Sequence, residues 1–325
     1  MSGGDAVSGG DVLLGPADLA GARARIAGRV HRTPTVTSTA IGSMLGVRLH
    51  LKAELFQKTG SFKPRGMFNK LLSMPEAELV RGLVSLSAGN AAQALAYAAA
   101  SVGARATIAM PAHAVRSKVD ATRGYGGEVV LTEGPLMDAV RELQERRRLT
   151  LIHPFDDLAV MAGHGTVGLE ILEDVPDVNT VVVPVGGGGL VGGISAAVKA
   201  ARPDARVIGV EPEGADGMTR ALAAGHPVTL EHIDTIADGL TAPFAGEHTL
   251  RHVQQFVDEV VRVTDDDIAA ALRLILERCK LAAEPAAAAP LAALLSEVVV
   301  PDPGSLVVCV VSGGNVDPDT LKRIL

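Results

Sequence analysis

A chain of 325 residues with 47% hydrophobic and 21% charged side chains suffices for one large domain or two smaller ones and is too apolar for disorder. A net charge of −7 disfavours a phosphate backbone as partner, and 2% aromatics without tryptophan offer no stacking platform for single strands, so no nucleic acid is expected. Cys279 and Cys309 are too few for a disulfide framework and read as small apolar core residues in a reducing cytoplasm.

No signal peptide is expected, because the Gly/Ser-rich start lacks a basic and an apolar stretch. Residues 3–15 read as a flexible tail. The spacing of Leu19, Ala22, Ile26 and Val30 predicts a helix from Pro16. Residues 47–53 alternate as a strand, Thr59-Gly60-Ser61 is a turn, and Pro64 opens a helix to about Met74. Strands at 83–86, 106–110, 128–131 and from 151 alternate with helices at 91–102, 115–123 and 136–147. The alternation resumes with strands at 180–185, 206–210 and 260–263 and helices at 190–201 and 217–224. Thr264 and Asp267 make a capping box for a helix 267–280, a short helix runs 285–295, and 306–311 is a fully apolar strand. Strand–helix units with short connections predict an α/β fold with parallel, doubly covered sheets. The uncharged segments 82–104 and 180–198 contain polar or turn residues and read as strand, turn and helix start, so no membrane span is expected.

Chemistry gathers at strand ends. Gly186, Gly187, Gly188 and Gly189 follow the strand VVV and precede a helix. Without Cβ atoms, backbone N–H groups can converge there on an anion at the positive helix end; a plain tight turn is the bland alternative. Gly187, Gly189 and Gly192 also satisfy a dinucleotide fingerprint, with Glu211 at the end of the next strand, so an NAD-dependent dehydrogenase stays open. Lys63 stands between Phe62 and Pro64 at a predicted helix start, where an aromatic and positive backbone dipoles should lower its pKa. The turns LSAGNA (86–91) and VSGGNVD (311–317) close two further strands.

Together TGSFKPRG around Lys63, the SAGN turn, the tetraglycine loop and SGGNVD resemble the pyridoxal-phosphate enzymes of the tryptophan synthase β-like superfamily, fold type II. Serine/threonine dehydratases and serine racemase are the nearest branch, and the likeness runs from about Arg32 onward. It implies a large domain of residues 16–76 and 155–325, a small domain of residues 77–154, and pyridoxal 5′-phosphate in the cleft between them. Lys63 would carry the cofactor and move the Cα proton. Asn90 would bond the cofactor's 3′ oxygen, Gly186 to Gly189 would hold its phosphate, Ser312 would face the pyridine nitrogen, and Phe62 would pack near the ring. Ser87, Ala88, Gly89, Asn90 and Ala91 would line the amino-acid substrate. Racemases carry a serine where Ala88 stands, which favours elimination; many dehydratases carry a histidine where Ala91 stands, which leaves room for a larger side chain. Glu211, Asp216 and the Ala215 carbonyl fall where some relatives hold a cation, although Gly217 replaces a further carboxylate. The resemblance further implies a cytoplasmic homodimer or higher homo-oligomer without isoleucine feedback. Besides the dehydrogenase, a catalytically dead amino-acid or nucleotide sensor is an alternative. His248 and His252 read as a surface pair, and Asp265 to Asp267 as helix-start solvation.

Overall fold

Short β-branched runs alternate with Ala- and Gly-rich segments, and helical crossovers between them line up the strands in parallel. The structure, a computed structural model, describes residues 12–324. Its strands are β1 (Thr35–Thr37), β2 (Arg48–Ala53), β3 (Leu83–Leu86), β4 (Ala106–Pro111), β5 (Glu128–Thr132), β6 (Thr150–Leu151), β7 (Thr180–Pro184), β8 (Arg206–Pro212), β9 (Glu259–Val263) and β10 (Leu306–Val311). They form a six-stranded sheet, β1-β2-β10-β7-β8-β9, and a four-stranded sheet, β5-β4-β3-β6. Pairing is parallel throughout except between β1 and β2. On β7 and β10 the period of two sends Val182 and Cys309 into one core and Val181, Val183, Val308 and Val310 into the other. Both faces of the large sheet are therefore covered, which is why these strands carry almost no polar residue.

The second sheet lies wholly within residues 83–151, inside the span expected for a small domain. Its core reaches further back, because Met67, Phe68 and Leu71 of helix Lys63–Ser73 are buried in it beside the alanines of helix Asn90–Ser101. Lys118, on a helix beside the second sheet, pairs with Asp238 of the turn Asp238–Leu240.

Several expectations need correction. Residues 1–11 of the expected tail lie outside the described residues, but Leu14 is buried, its N–H donating to His252 Nε2 at 2.9 Å. His252 is buried too, so the pair with His248 is not a surface one. The helix expected over 267–280 is α-helical from Asp265 to Leu274 and then π-helical from Ile275 to Cys279, ending at Lys280 in the left-handed region. Cys279 there is only partly buried, whereas Cys309 is a core residue; both are free thiols. The capping box is present as read, with Thr264 accepting from Asp267 N–H and Asp267 from Thr264. Helix Leu158–Asp174 was not anticipated. Among the described residues no helix is long and apolar enough to cross a membrane.

One polar cluster lies inside this apolar frame. Arg65, 1% exposed, donates to Glu54 from Nε and Nη2 at 2.8 Å each and to Glu170 from Nη1 and Nη2 at 2.7 and 2.9 Å. Lys52 Nζ lies 2.7 Å from the same Glu170 and donates to the Thr33 carbonyl at 2.8 Å. Two buried cations thus meet two buried carboxylates. Arg65→Met should leave Glu54 unpaired and destabilise the protein by about 3–5 kcal/mol, read by denaturant unfolding. Burial raises the Glu170 carboxyl, but hydrogen bonds and charge from Arg65 and Lys52 prevail and hold it below its ordinary 4.5. Its stabilisation is full above pH 4.5 and is lost as pH falls through the lowered value, so acid unfolding should be steeper in wild type than in Glu170→Gln.

Candidate active site

Helix Lys63–Ser73 begins with Pro64 in its first turn, and the segment before it is pinned to the end of β10. Ser61 bridges Gly313 in antiparallel fashion, Phe62 N–H donates to the Ser312 carbonyl at 3.1 Å, and Gly314 N–H donates to the Gly60 carbonyl at 2.9 Å. Thr59 takes a left-handed φ of 61° to make this turn. Two of the four sequence motifs are therefore stitched together by backbone bonds. Asn315 Nδ2 extends the seam, donating to the Thr59 carbonyl at 2.7 Å and to Asn90 Oδ1 at 2.8 Å, which adds the SAGN turn.

Lys63 Nζ donates to the Pro154 carbonyl at 3.2 Å and lies 5.0 Å from the Phe62 ring centroid. Burial lowers its pKa to about 8, with Glu284 pulling the other way. The direction is the one expected, but the cause is not. A ring face favours the ammonium, and desolvation overrides it. Glu284, buried, accepts from Asn90 Nδ2 at 2.8 and 3.1 Å, and its carboxyl is pushed by burial up to about 7. Glu284 and Asn315 were missed as individual site residues. Asn315 lies inside the VSGGNVD turn, but Glu284, a lone carboxylate before Pro285, carries no spacing signal.

The tetraglycine loop sits where β7 gives way to helix Gly189–Ala201, with Gly188 at a φ of 90°. A Cβ on Gly187 would lie 2.4 Å from the Phe155 ring, one on Gly188 2.5 Å from the Met218 methyl, and one on Gly189 2.8 Å from the Phe155 carbonyl. Packing thus demands glycine at these positions, and the bare first-turn N–H groups of the helix are left for an anion. A buried amine of lowered pKa, a glycine cradle at a helix N-terminus and the hydroxyl-bearing Ser312, 3% exposed, suit an aldehyde with a phosphate tail and a ring nitrogen.

Ser87 and Ala88 lie at the end of β3 and Gly89 before helix Asn90–Ser101; Ser87 Oγ accepts from Gly89 N–H at 3.2 Å. Ala91 is buried in the apolar core of the second sheet, so its methyl is a packing contact. Glu211, at the end of β8, accepts from Met218 N–H at 2.7 Å and from Thr219 N–H and Oγ1 at 2.8 Å each. Asp216 accepts from Arg220 at 2.7 Å and Arg262 at 3.3 Å. The oxygens of Glu211 and Asp216 are thus turned to helix N–H groups, the Thr219 hydroxyl and two guanidiniums, contacts that a cation would have to displace. Among the described residues no group of three His, Cys, Asp or Glu could hold a metal. The same contacts, and full burial, deny Glu211 to a ribose hydroxyl, which removes the acidic half of the dinucleotide fingerprint. Gly192 and Gly193 instead pack against Met161 and Gly165 of helix Leu158–Asp174.

If burial sets the Lys63 amine, an amine-selective aldehyde should be captured there with a rate that rises through about pH 8. Stopped-flow absorbance across pH, with peptide mapping after borohydride reduction, measures this. A midpoint near the ordinary 10.5, or label on another lysine, would overturn the assignment.

Comparison with known proteins agrees with this geometry. Residues 26–313 match the family model described as pyridoxal-phosphate dependent enzyme. The chain is 43% identical over 312 residues to an L-threonine ammonia-lyase of Thermotoga maritima, covering 95% of this chain and 77% of that one. It is 40% identical over 311 residues to a serine racemase of Oryza sativa, covering 94% and 91%. The structure of maize serine racemase superposes with a TM-score of 0.92 at 39% identity, covering 96% of this chain and 97% of the other. The chain belongs to the pyridoxal-phosphate dependent enzymes, in their fold type II branch.

Proposed function

We propose that the protein is a lyase removing water and then ammonia from a β-hydroxy amino acid of the threonine or serine class. The observation that carries this is the buried Lys63 amine, about 8 in pKa, bonded to the Pro154 carbonyl, with the next residue, Phe155, packed on Gly187 and Gly189 and the preceding residue, Phe62, bonded to Ser312. Pyridoxal phosphate, when bound, supplies the electron sink that lets a substrate Cα release its proton. Gly186 to Gly189 would hold its phosphate, Asn90 its 3′ oxygen, and Phe62 one side of its ring. Ser312 offers a hydroxyl to the ring nitrogen; a hydroxyl can donate to an unprotonated nitrogen, where a carboxylate would keep it protonated.

Lys63 Nζ takes the Cα proton. The β C–O bond then breaks, and the hydroxide leaves as water with one proton. The unsaturated amine product isomerises and is hydrolysed to a 2-oxo acid and ammonia. Ser87 and Asn90, near the start of helix Asn90–Ser101, would help hold the substrate carboxylate, with the helix N-terminus favouring negative charge. Ala88 has no proton to deliver to a second face of Cα, so elimination outruns inversion. The large and small domains, residues 16–76 with 155–325 and residues 77–154, carry these groups from two sheets. A cytoplasmic homo-oligomer goes with this reading, and size-exclusion chromatography reads the assembly.

Incubation with L-threonine or L-serine should yield 2-oxo acid and ammonia in equal amounts, with Lys63→Ala lowering turnover by several orders of magnitude. Chiral analysis should show D-serine formed about 10²–10⁴-fold more slowly than pyruvate, the contribution of one acid–base group. Rapid D-serine without pyruvate would favour a racemase, the second reading that Oryza sativa and maize relatives keep in view.

Ser312→Asp should keep the fold and lower elimination, with a changed absorbance of the bound cofactor, because a carboxylate raises the proton affinity of the ring nitrogen. Unchanged kinetics and absorbance would place Ser312 away from that nitrogen.

A further inference from the structure

Residues 153–157 join the second sheet to helix Leu158–Asp174, and both ends of this loop are fixed. Asp156 accepts from the N–H groups of Glu247, His248 and Thr249 at 3.1, 2.9 and 3.2 Å, capping helix Glu247–Phe256. Asp157 accepts from Ala159 and Val160 N–H at 2.9 and 3.1 Å, capping the next helix. Upstream, Ile152 N–H donates to the Val84 carbonyl at 2.9 Å, and Ser85 Oγ donates to the Ile152 carbonyl at 2.7 Å. β6 runs parallel to β3 with Leu151 opposite Val84, so the same register brings His153 level with Leu86, beside the SAGN turn. The following residue, Pro154, offers its carbonyl to Lys63 Nζ. His153 thus has the turn that ends β3 on one side and the amine on the other.

The His153 ring is held in one tautomer. Its Nδ1 accepts from Asp156 N–H at 2.9 Å, so the neutral ring carries its proton on Nε2. Burial, the largest effect, lowers its pKa below the ordinary 6.5 and keeps it neutral. Nε2 lies on the ring edge turned away from the loop N–H groups, and among the described residues nothing bonds to it. Phe155 stands edge-on to the ring, with centroids 4.6 Å apart and planes at 85°, and the Phe244 centroid lies 6.3 Å away. His153 and Phe244 are only partly buried, so this ring cluster borders open space. Three of the chain's six phenylalanines, Phe62, Phe155 and Phe244, stand around this lysine and its carbonyl partner, in a protein without tryptophan. An apolar wall that offers a single N–H matches a β-carbon bearing a methyl and a hydroxyl.

We propose that His153 is a substrate-contacting residue that selects a β-oxygen: its Nε2–H donates to the β-hydroxyl of the amino acid whose Cα proton Lys63 takes, and holds that oxygen as its bond to Cβ breaks. The ring keeps its own proton throughout. This deepens the lyase reading and rests on it. A fixed N–H discriminates because a substrate without the hydroxyl leaves the donor unpaired.

The test uses holoenzyme and two variants that divide the functions of the ring. In His153→Asn the side-chain oxygen replaces Nδ1 and still accepts from Asp156 N–H, while the Nε2 donor is lost. In His153→Gln the terminal amide replaces Nε2, while the loop contact is lost. Each is assayed with L-threonine and with β-chloro-L-alanine, which shares the amine and carboxylate but expels chloride from Cβ without help from a donor. His153→Asn should lower kcat/KM for L-threonine about ten- to a hundredfold, the range of one hydrogen bond to an oxygen gaining charge, and leave β-chloroalanine within about threefold. His153→Gln should melt at a lower temperature yet keep the threonine-to-chloroalanine ratio within about threefold of wild type, short of the tenfold that marks a lost donor. Equal losses on both substrates in His153→Asn would assign the ring to the carboxylate or the loop and overturn the proposal. Should the variants not fold, the ¹⁵N ring signals of His153 in labelled wild type, assigned through the backbone, decide. Nε2 must carry the proton, and a proton on Nδ1 overturns the proposal. Wild type that forms 2-oxo acid from neither substrate would overturn the lyase reading and this inference with it.

Discussion

The bidentate clasp of Arg65 on Glu54 and Glu170 fixes where Lys63 can be. Arg65 lies two residues beyond Lys63 on the same helix, Glu54 follows β2, and Glu170 lies on helix Leu158–Asp174. Three elements distant in sequence are thus registered by one planar guanidinium whose donors match two carboxylates. Removing such charges from water is expensive, so the clasp need not add net stability over an apolar core. What it does is exclude alternatives: a helix slipped by one residue would bury Glu54 and Glu170 without their partner. Lys52 and Thr33 satisfy the remaining acceptors, which makes the arrangement complete as well as specific.

Close backbone approach does the rest of the positioning. Helix Leu158–Asp174 meets helix Lys63–Ser73 through Gly66 and Gly163 and meets helix Gly189–Ala201 through Gly165, Gly168 and Gly193. A Cβ on Gly193 would lie 2.3 Å from the Met161 carbonyl, and one on Gly168 2.8 Å from the Ala197 Cβ. Glycines in helices cost helix propensity. Here they let three helices touch at backbone distance, bringing the lysine turn and the tetraglycine loop into one neighbourhood. The glycine-rich composition is therefore as much about helix contacts as about anion binding.

The local signals in the sequence were the ones that survive without tertiary context. Alternating apolar runs gave the strands, the Thr264–Asp267 box gave a helix start, and four glycines after VVV marked the loop. Helix Leu158–Asp174 escaped because it is buried nearly all round and interrupted by three glycines, so it has no amphipathic period to detect. Arg65, Glu54 and Glu170 escaped for the opposite reason. Charges are read as solvated faces, and nothing in their spacing of 11 and 105 residues foretells a pairing. Glu211 misled because a carboxylate at a strand end is the mark of a ribose or cation site and equally of a helix cap. Only the N–H groups of Met218 and Thr219 distinguish the two.

The electrostatics of the site follow from dryness more than from any one neighbour. Burial lowers the Lys63 amine to about 8 and raises the Glu284 carboxyl to about 7, each toward its uncharged form. Glu284 pulls against the shift of the lysine, and Asn90 and Lys118 against that of the carboxyl, and they lose because both groups are almost wholly out of water. Two titrations that lie far apart in solution are thereby drawn close together. That suits the role proposed for Lys63, a free amine when it accepts a Cα proton and an ammonium when it returns one. A solvated lysine would hold its proton through the whole neutral range. Asn90 couples the pair to the surrounding frame, since its Nδ2 binds Glu284 while its Oδ1 accepts from Asn315. A change in Glu284 protonation must therefore alter the hydrogen bond at Asn90, the residue at the start of the helix that follows β3. Protonation of Glu284 and the set of the SAGN turn are in this way one linked equilibrium.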